Sequence, residues 1–332
     1  MVAEKLQCER SFSGSDSIER EIVNVFATRA GFLCLFFLTV SVHIAISSGS
    51  YSELPGRHCP PMFGDFEAQR HWMEICIHLP VREWYVNGSE NDLNYWGLDY
   101  PPLTAFHSFV LGKLSDKIDR SWVALHVSRG IETDAHKLLM RLSVMVSVWA
   151  LYIPALITFA FLSSGNVNIY YCTVSILYPA LIAVDNGHFQ FNHISLGLFL
   201  VAVICLISDR RLIGSVLFVM AVNFKQMELY HSLPVAAFLL ARSVRSPWSV
   251  RSAIQSLTEL TKVFLIVAAA FLLIWCPFVM ADADLWQILH RIFPFYRGIF
   301  EVGCIRLAVI FCVLVFFARA PYSGEAFTPR NR

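Results

Sequence analysis

Long apolar segments, separated by short polar ones, run through most of the chain. The first covers residues 30–48 and contains no Asp, Glu, Lys or Arg. Others follow at residues 138–162, 169–184, 194–207, 212–224, 229–241, 262–281 and 302–318. A transmembrane helix needs about 20 mostly apolar residues. The pattern therefore predicts an all-α, polytopic membrane protein with about seven or eight spans.

Basic residues lie where the positive-inside rule places them for one orientation. Lys5, Arg10, Arg20 and Arg29 come before or at the start of the first apolar segment, so residues 1–29 are predicted to be a cytosolic tail. Alternating sides from there puts a second set of arginines in the cytosol: Arg210, Arg211, Arg242, Arg245 and Arg251. Residues 49–136, 185–193, 225–228 and 282–301 then face the lumen. The Asn-Gly-Ser sequon at Asn87 agrees with a luminal first loop.

Composition narrows the function classes. Hydrophobic residues make up 56% of the chain and charged residues 15%, which is typical of a protein embedded in a lipid bilayer. The net charge of +1 gives no basic field that would indicate nucleic acid as a partner. The nine cysteines include no CxxC pair, so no metal site is predicted. A disulfide between Cys59 and Cys76 is compatible with the lumen, and the sequence leaves it open.

The first luminal loop contains an amphipathic pattern from residue 64 to 79. Apolar and polar positions alternate at helical spacing, which predicts a helix lying on the membrane surface with its polar face toward the lumen. The apolar face holds Ala68, Trp72, Ile75, Cys76 and Leu79, and the polar face Glu67, Arg70, His71, Glu74 and His78. Asp65 stands where this helix begins. Its carboxylate is interpreted either as a helix cap or as a catalytic group.

Four further luminal stretches mix charged and aromatic residues, and each has a simpler structural interpretation. Asp99 precedes a Tyr-Pro-Pro sequence and marks a helix start, and the aromatic residues around it suit sugar stacking or the headgroup belt. Asp185 heads an Asp-Asn-Gly turn followed by His188. Lys225 and Glu228 have the spacing of a helical ion pair. The remaining candidates, compatible with headgroup contacts, are His290, Arg291 and Arg297.

These stretches all fall on the luminal side of the predicted topology, which favours one shared site. Carboxylates at such a site would deprotonate a hydroxyl, and cationic side chains would neutralise a phosphate leaving group. The candidate catalytic residue is Asp65. The candidate substrate-binding residues are Asp99, His188, Lys225, Arg291 and Arg297.

Five strings carry a resemblance to a known family: GDFEAQRHWMEI, NYWGLDYPPLTAFHS, DNGHFQFN, NFKQMELYH and RIFPFYRGIFE. Together they resemble the dolichyl-phosphate-glucose-dependent alpha-1,3-glucosyltransferases of the GT-C superfamily, in the form that acts on the nine-mannose acceptor. The resemblance implies a multi-pass protein of the endoplasmic reticulum membrane with a luminal active site. It also implies dolichyl phosphate glucose as donor, a dolichol-linked oligosaccharide as acceptor, inversion at the transferred sugar, and no cofactor or obligatory metal.

Carried over by motif, the acidic catalytic position of the family matches Asp65, and its second acidic position matches Asp99. Asn186 stands where Tyr is commoner in the family. The resemblance covers residues 30–301, and residues 302–332 diverge from it. We therefore expect the chain as written not to sustain normal glucosyl transfer. A catalytically inactive form that binds lipid-linked sugar remains an alternative. A membrane transporter ranks last because residues 142–162 and 264–279 contain no charged side chain.

Overall fold

A computed structural model describes residues 29–49, 64–164, 169–244 and 249–293 of the protein. Within these ranges every regular element is helical, which confirms the predicted all-α class. The helices are α1 (Arg29–Ser48), α2 (Gly64–His78), α3 (Pro102–Ile118), α4 (Asp134–Ser147), α5 (Ile153–Ser164), α6 (Ile169–Ile176), α7 (Pro179–Ile182), α8 (Asn192–Ile207), α9 (Arg211–Phe224), α10 (Ser232–Ser243), α11 (Val250–Met280) and α12 (Leu285–Ile292). Short 3₁₀ turns lie at Val81–Glu83, Arg120–Val123 and Gln226–His231, and π-helical turns at Val148–Tyr152 and Ala183–Gly187.

Two continuous helices among the described residues are long and apolar enough to cross a membrane. One joins α4, the π turn and α5 over Asp134–Leu162, and the other is α11. Shorter apolar helices cover Leu33–Ser48, Cys172–Gly187, Asn192–Ile207 and Arg211–Phe224. These elements coincide with the predicted apolar segments, and the number of spans stays a prediction.

Helix α11 begins earlier than its apolar segment does. Ser249 accepts a hydrogen bond from the backbone N–H of Ser252, and the Ser252 hydroxyl binds back to the Ser249 backbone, so the two residues form a capping box. The cap extends the helix by several turns of more polar sequence. Farther along, Leu272 and Leu273 are 69% and 77% exposed, as expected of a helix whose apolar side faces lipid.

The segment predicted to be the first luminal loop, residues 49–136, differs from its prediction at α2. The helix forms, but Phe66 to Cys76 are all buried, so the expectation of a surface helix with its polar face in the lumen is wrong. Arg70 makes ion pairs with Glu67 at 2.5 Å and Glu74 at 2.6 Å. It also donates to the Ser128 hydroxyl, while the backbone N–H of His126 donates to Glu74 at 2.7 Å. The carboxylates and the guanidinium of the polar face are therefore bound by one another and by the chain segment between α3 and α4.

A cluster of aromatic residues fixes the first luminal loop against α11. The rings of Trp84 and Tyr85 both contact Phe278 edge-on or nearly so, with centroids 5.9 Å and 5.8 Å away. Both side chains are almost completely buried. Trp84 and Tyr85 therefore belong to a packed core and are not available for sugar stacking or for a headgroup belt. The cluster holds α11 and α12 beside the segment that carries Asp99.

Candidate active site

Asp65 lies in the first turn of α2, directly after Gly64. Gly64 has a φ of 78°, which only glycine adopts without strain, and it brings the chain sharply into the helix. The Asp65 carboxylate is about one-third exposed and lies 3.6 Å from Nδ1 of His188. The exposed N-terminal turn of a helix favours negative charge. An accessible carboxylate beside an imidazole is a suitable arrangement for accepting a proton from a bound hydroxyl.

His188 reaches Asp65 because of the π-helical turn that follows α7. Chain reversal there uses the π turn at Ala183–Gly187 and a positive φ of 57° at Phe189. Asn186 donates from Nδ2 to the Ser47 hydroxyl at 3.2 Å, which ties the turn to α1. The Asp-Asn-Gly sequence, interpreted as a turn, lies inside a π-helical segment that continues α7, so the turn interpretation is wrong and the helix ends only before Phe189. This segment places His188 beside the start of α2.

Lys225 follows α9, and its amine lies beside Tyr100 and near Asp65 and Asp99. The space between these side chains is the cleft of the candidate site. The Nζ atom donates to Oδ1 of Asn192 at 2.5 Å and lies 4.7 Å from the centre of the Tyr100 ring. Burial lowers the pKa of Lys225, and the negative charges of Asp185, Asp65 and Asp99 act in the opposite direction. Lys225 therefore stands among three carboxylates. Its expected pairing with Glu228 is replaced by these contacts.

Glu228 has other partners. It is fully buried and accepts hydrogen bonds from the Ser195 hydroxyl at 2.8 Å and from His231 Nδ1 at 2.8 Å. Glu228 lies in a 3₁₀ turn, Gln226–His231, and Lys225 directly precedes that turn, so the two residues do not share an α-helix. The ion-pair interpretation fails because the geometry it assumed is absent.

Asp99 lines the cleft beside Tyr100. Its side chain is exposed to the cleft, yet the surrounding protein desolvates the carboxylate and raises its pKa, and the positive charges of Arg291 and Lys225 partly offset this effect. Helix α3 starts at Pro102 with Pro101 as its N-cap, so Asp99 lies ahead of the helix start. The Pro-Pro sequence holds the chain extended at this point.

Arg291 of α12 supports the Asp99 segment through the backbone. Its Nη2 donates to the Gly97 carbonyl at 2.9 Å, and its Nε donates to the Leu98 carbonyl at 3.2 Å. A side chain at Gly97 would clash, because its Cβ would lie 2.9 Å from Arg291 Nη2 and 2.7 Å from the Leu93 backbone. Arg291 thus adds positive charge next to Asp99 and fixes the loop that carries it.

Tyr100 and Gln190 also belong to the cleft, although sequence reasoning did not select them. The Tyr100 hydroxyl donates to Gln190 Oε1 at 3.4 Å. Burial raises the pKa of Tyr100, and the nearby charges of Asp99, Asp65 and Asp185 raise it further. The sequence signal that could have identified Tyr100 and Gln190 was their position inside the LDYPP and DNGHFQ strings.

Five of the six candidate residues, Asp65, Asp99, His188, Lys225 and Arg291, come from different segments and gather around this cleft. The sixth, Arg297, and one half of the possible Cys59–Cys76 disulfide lie outside the described residues. Within the described residues, no group of three or more His, Cys, Asp or Glu side chains is arranged to hold a metal ion. The cleft therefore combines accessible carboxylates with an amine, an imidazole and a guanidinium.

Comparison with known proteins gives a single family. The sequence profile of the ALG6, ALG8 glycosyltransferase family matches residues 34–321, which extends past Glu301, where the resemblance was expected to end. A relative from Caenorhabditis elegans, "Probable dolichyl pyrophosphate Man9GlcNAc2 alpha-1,3-glucosyltransferase", is 47% identical over 83% of this chain and 52% of its own length. The Gallus gallus protein of the same name, without "Probable", is 44% identical over 83% of this chain and 53% of its length. The chain spans about half the length of the curated relatives it matches.

Proposed function

Because the chain belongs to the ALG6, ALG8 glycosyltransferase family, we propose that it transfers glucose in alpha-1,3 linkage to Man9GlcNAc2 on dolichyl pyrophosphate. The membership confirms the resemblance carried by the five motif strings. The acceptor and the linkage are those in the names of these relatives. The donor we propose is dolichyl phosphate glucose, since the cleft places cationic side chains beside an accessible carboxylate.

The observation that carries the proposal is the position of Asp65 opposite His188 and near Lys225. In the proposed reaction an acceptor hydroxyl attacks the anomeric carbon of the glucosyl phospholipid and inverts it. Asp65 takes the hydroxyl proton as the new carbon–oxygen bond forms. The bond from the anomeric carbon to the phosphate oxygen breaks, and dolichyl phosphate leaves with the electron pair.

The negative charge that develops on the leaving phosphate has to be stabilised by positively charged side chains. The Lys225 amine and the His188 imidazole face the cleft, and Arg291 adds charge behind Asp99. Fixed cationic groups stabilise such a leaving group more strongly in a desolvated cleft than in water. Asp99 takes the role of holding these cations in place or of binding acceptor hydroxyl groups.

We further propose that the chain crosses the endoplasmic reticulum membrane about seven or eight times with the cleft on the luminal side. The charges at the two ends of α9 support this orientation. Lys225 ends the helix within the cleft, while Arg211 begins it in an ion-pair group with Asp209 and Glu259. A helix of this length separates the two groups by roughly 20 Å of apolar sequence.

The proposal is tested by an assay of donor and product. The segment of the Caenorhabditis elegans relative that matches this chain is replaced by the matching residues of this chain, so that the test has a protein of full length. Microsomes from cells lacking the enzyme then receive radiolabelled dolichyl phosphate glucose, dolichyl phosphate mannose or UDP-glucose. We expect label in the Man9GlcNAc2 lipid from the first donor alone, in a linkage removed by an alpha-1,3-glucosidase. Transfer from UDP-glucose after solubilisation, or no transfer from dolichyl phosphate glucose, would contradict the proposal.

A further inference from the structure

A continuous hydrogen-bond path leads from the buried Asp185 to the amine of Lys225. Asp185 Oδ1 accepts from Nδ2 of Asn192 at 2.6 Å, and Oδ1 of the same Asn192 accepts from Lys225 Nζ at 2.5 Å. An amide has its donor and its acceptor at opposite positions. Because the carboxylate requires the donor and the ammonium requires the acceptor, the two ends of the path fix the orientation of Asn192.

Asp185 is itself held rigidly. Its Oδ2 atom accepts from the backbone N–H of His193 at 2.7 Å and from His193 Nδ1 at 2.5 Å. The His193 ring in turn meets Tyr152 edge-on, with the ring centres 4.9 Å apart. Asp185 is completely buried, so it has no route to a substrate in the cleft. It acts on the cleft through its neighbouring side chains and through its negative charge.

The amine of Lys225 depends on its surroundings for both its place and its charge. The groups that face it are the Tyr100 ring, the amide of Asn192, and the carboxylates of Asp65, Asp99 and Asp185. Burial disfavours the charged amine, and these carboxylates favour it. Asp65 and Asp99 are open to the cleft, whereas Asp185 is completely buried and keeps its place beside Asn192.

We propose that Asp185, acting through Asn192, is a positioning residue that keeps Lys225 charged and aimed at the phosphate of the lipid-linked donor. The identity of the phosphate rests on the proposed function, and the positioning rests on the hydrogen-bond path alone. Sequence analysis interpreted Asp185 as a turn residue, whereas it lies in the π-helical segment Ala183–Gly187. Asp185 touches none of the reacting atoms.

The test measures the titration of Lys225 directly. The purified 332-residue chain in lipid nanodiscs is pulsed with a small amine-acylating reagent from about pH 7 to pH 11, a range that includes the usual pKa of lysine. Mass spectrometry follows acylation of Lys225, with the exposed Lys117 as internal reference. The variants are Asp185→Asn, Asn192→Leu and, as a control with the same charge change, Asp92→Asn. Asp92 is exposed, and its carboxylate accepts a hydrogen bond from the backbone N–H of Asn94 at 2.9 Å, within its own turn.

We expect Asp185→Asn to lower the midpoint for Lys225 by about one pH unit, because the charged amine loses a permanent counter-charge. Asn192→Leu is also expected to lower the midpoint for Lys225. If Asp185→Asn does not fold, Asn192→Leu alone tests the inference. Asp92→Asn leaves it in place, and Lys117 is unchanged in every variant. Midpoints for Lys225 that agree among all folded variants to within about 0.3 units would overturn the inference.

A second arm separates this inference from the proposed function. Dolichyl phosphate, and not dolichol, is expected to slow acylation of Lys225 in the unsubstituted chain and to do so less in Asn192→Leu. If the midpoint shifts but dolichyl phosphate gives no protection, the role of Asp185 in positioning Lys225 stands, and the proposal that Lys225 binds a phosphate is contradicted. If dolichyl phosphate protects Lys225 but the variants do not shift its midpoint, the proposed function stands and the role of Asp185 is overturned.

Discussion

The Asp65 carboxylate and the His188 imidazole approach to 3.6 Å, although one begins α2 and the other ends the turn after α7. Gly64 turns the chain into α2, and the Asn186 contact with Ser47 orients the turn that carries His188. The two side chains form the accessible edge of the proposed active site.

Replacing His188 by Ala is predicted to reduce glucosyl transfer by roughly 10- to 100-fold, since one donor to the leaving phosphate is lost. His126→Ala is the matched control, because His126 is an exposed histidine of the first luminal loop and its imidazole pairs with Glu90. Initial rates with dolichyl phosphate glucose measure both variants. Equal loss in the two variants would indicate a general effect of removing histidine from the lumen.

The apolar segments predicted the helices well, because burial in lipid and a continuous backbone hydrogen-bond pattern impose the same requirement on every span. The polar face of α2 was misread for a physical reason. Helical periodicity shows that Glu67, Arg70 and Glu74 share a face, but the partners that bury this face, Ser128 and the His126 backbone, come from a distant segment. Surface and core helices have the same pattern in that case.

Asp185 was interpreted only as a turn residue because its local signal is strong. Its contacts with Asn192 and His193 lie seven and eight residues away, beyond any turn. The candidates Asp65, Asp99, His188, Lys225 and Arg291 were found from motif strings and from their common side of the membrane. The role of Arg291 in holding the Gly97 carbonyl required the packing of α12 against the first luminal loop.

The ion-pair network inside α2 is predicted to stabilise the fold strongly. Arg70→Met leaves Glu67 and Glu74 buried without their counter-charge, which costs about 3–5 kcal/mol. Arg82→Met is the control, since Arg82 pairs with Glu83 at an exposed position and such pairs contribute about 0–1 kcal/mol. Thermal unfolding in nanodiscs measures the difference. A similar midpoint for the two variants would contradict the assignment of the network to the core.

Stability is predicted to fall at low pH through Glu74. Burial alone would raise its pKa, but the nearby His71 imidazole, the charge of Arg70 and the hydrogen bond from the His126 backbone lower it to about 2. A carboxylate with a depressed folded-state pKa contributes stability above its unfolded pKa of about 4.3 and loses it as pH falls through the folded value. Between about pH 4 and pH 2 the unfolding midpoint should decline less steeply in Glu74→Gln than in the unsubstituted chain. If the unfolding midpoints of the two proteins decline equally with falling pH, the Glu74 network is not the source of the acid sensitivity.

Gly97→Ala is predicted to reduce transfer by about 10-fold or more, because the added Cβ displaces Arg291 and with it the Asp99 segment. Gly88→Ala is the control. A Cβ at Gly88 meets nothing within 4 Å, and the sequon Asn-X-Ser is kept. Rates for the two variants should differ although the chemical change is identical, and equal rates would refute the role of close packing at Gly97.

The orientation in the membrane predicts glycosylation of Asn87. Asn87 and Ser89 are exposed in the loop that also carries Asp99. Removal of N-glycans should increase gel mobility of the unsubstituted chain and of Ser89→Thr, but not of Ser89→Ala. A sequon introduced beside Arg245 should remain unmodified. Glycosylation of the sequon beside Arg245, or no glycosylation at Asn87, would contradict the proposed topology.

The central claim is that Asp65 accepts the proton of the acceptor hydroxyl, and Asp65→Asn tests it most directly. Asn keeps the size of the side chain and its ability to cap a helix, but it is no longer a base. In the full-length exchange protein, with Asp92→Asn as the control for loss of one luminal charge, glucosyl transfer from dolichyl phosphate glucose is measured at saturating donor. The account predicts a loss of at least about 100-fold for Asp65→Asn and none for Asp92→Asn. Near-normal turnover by Asp65→Asn would contradict it.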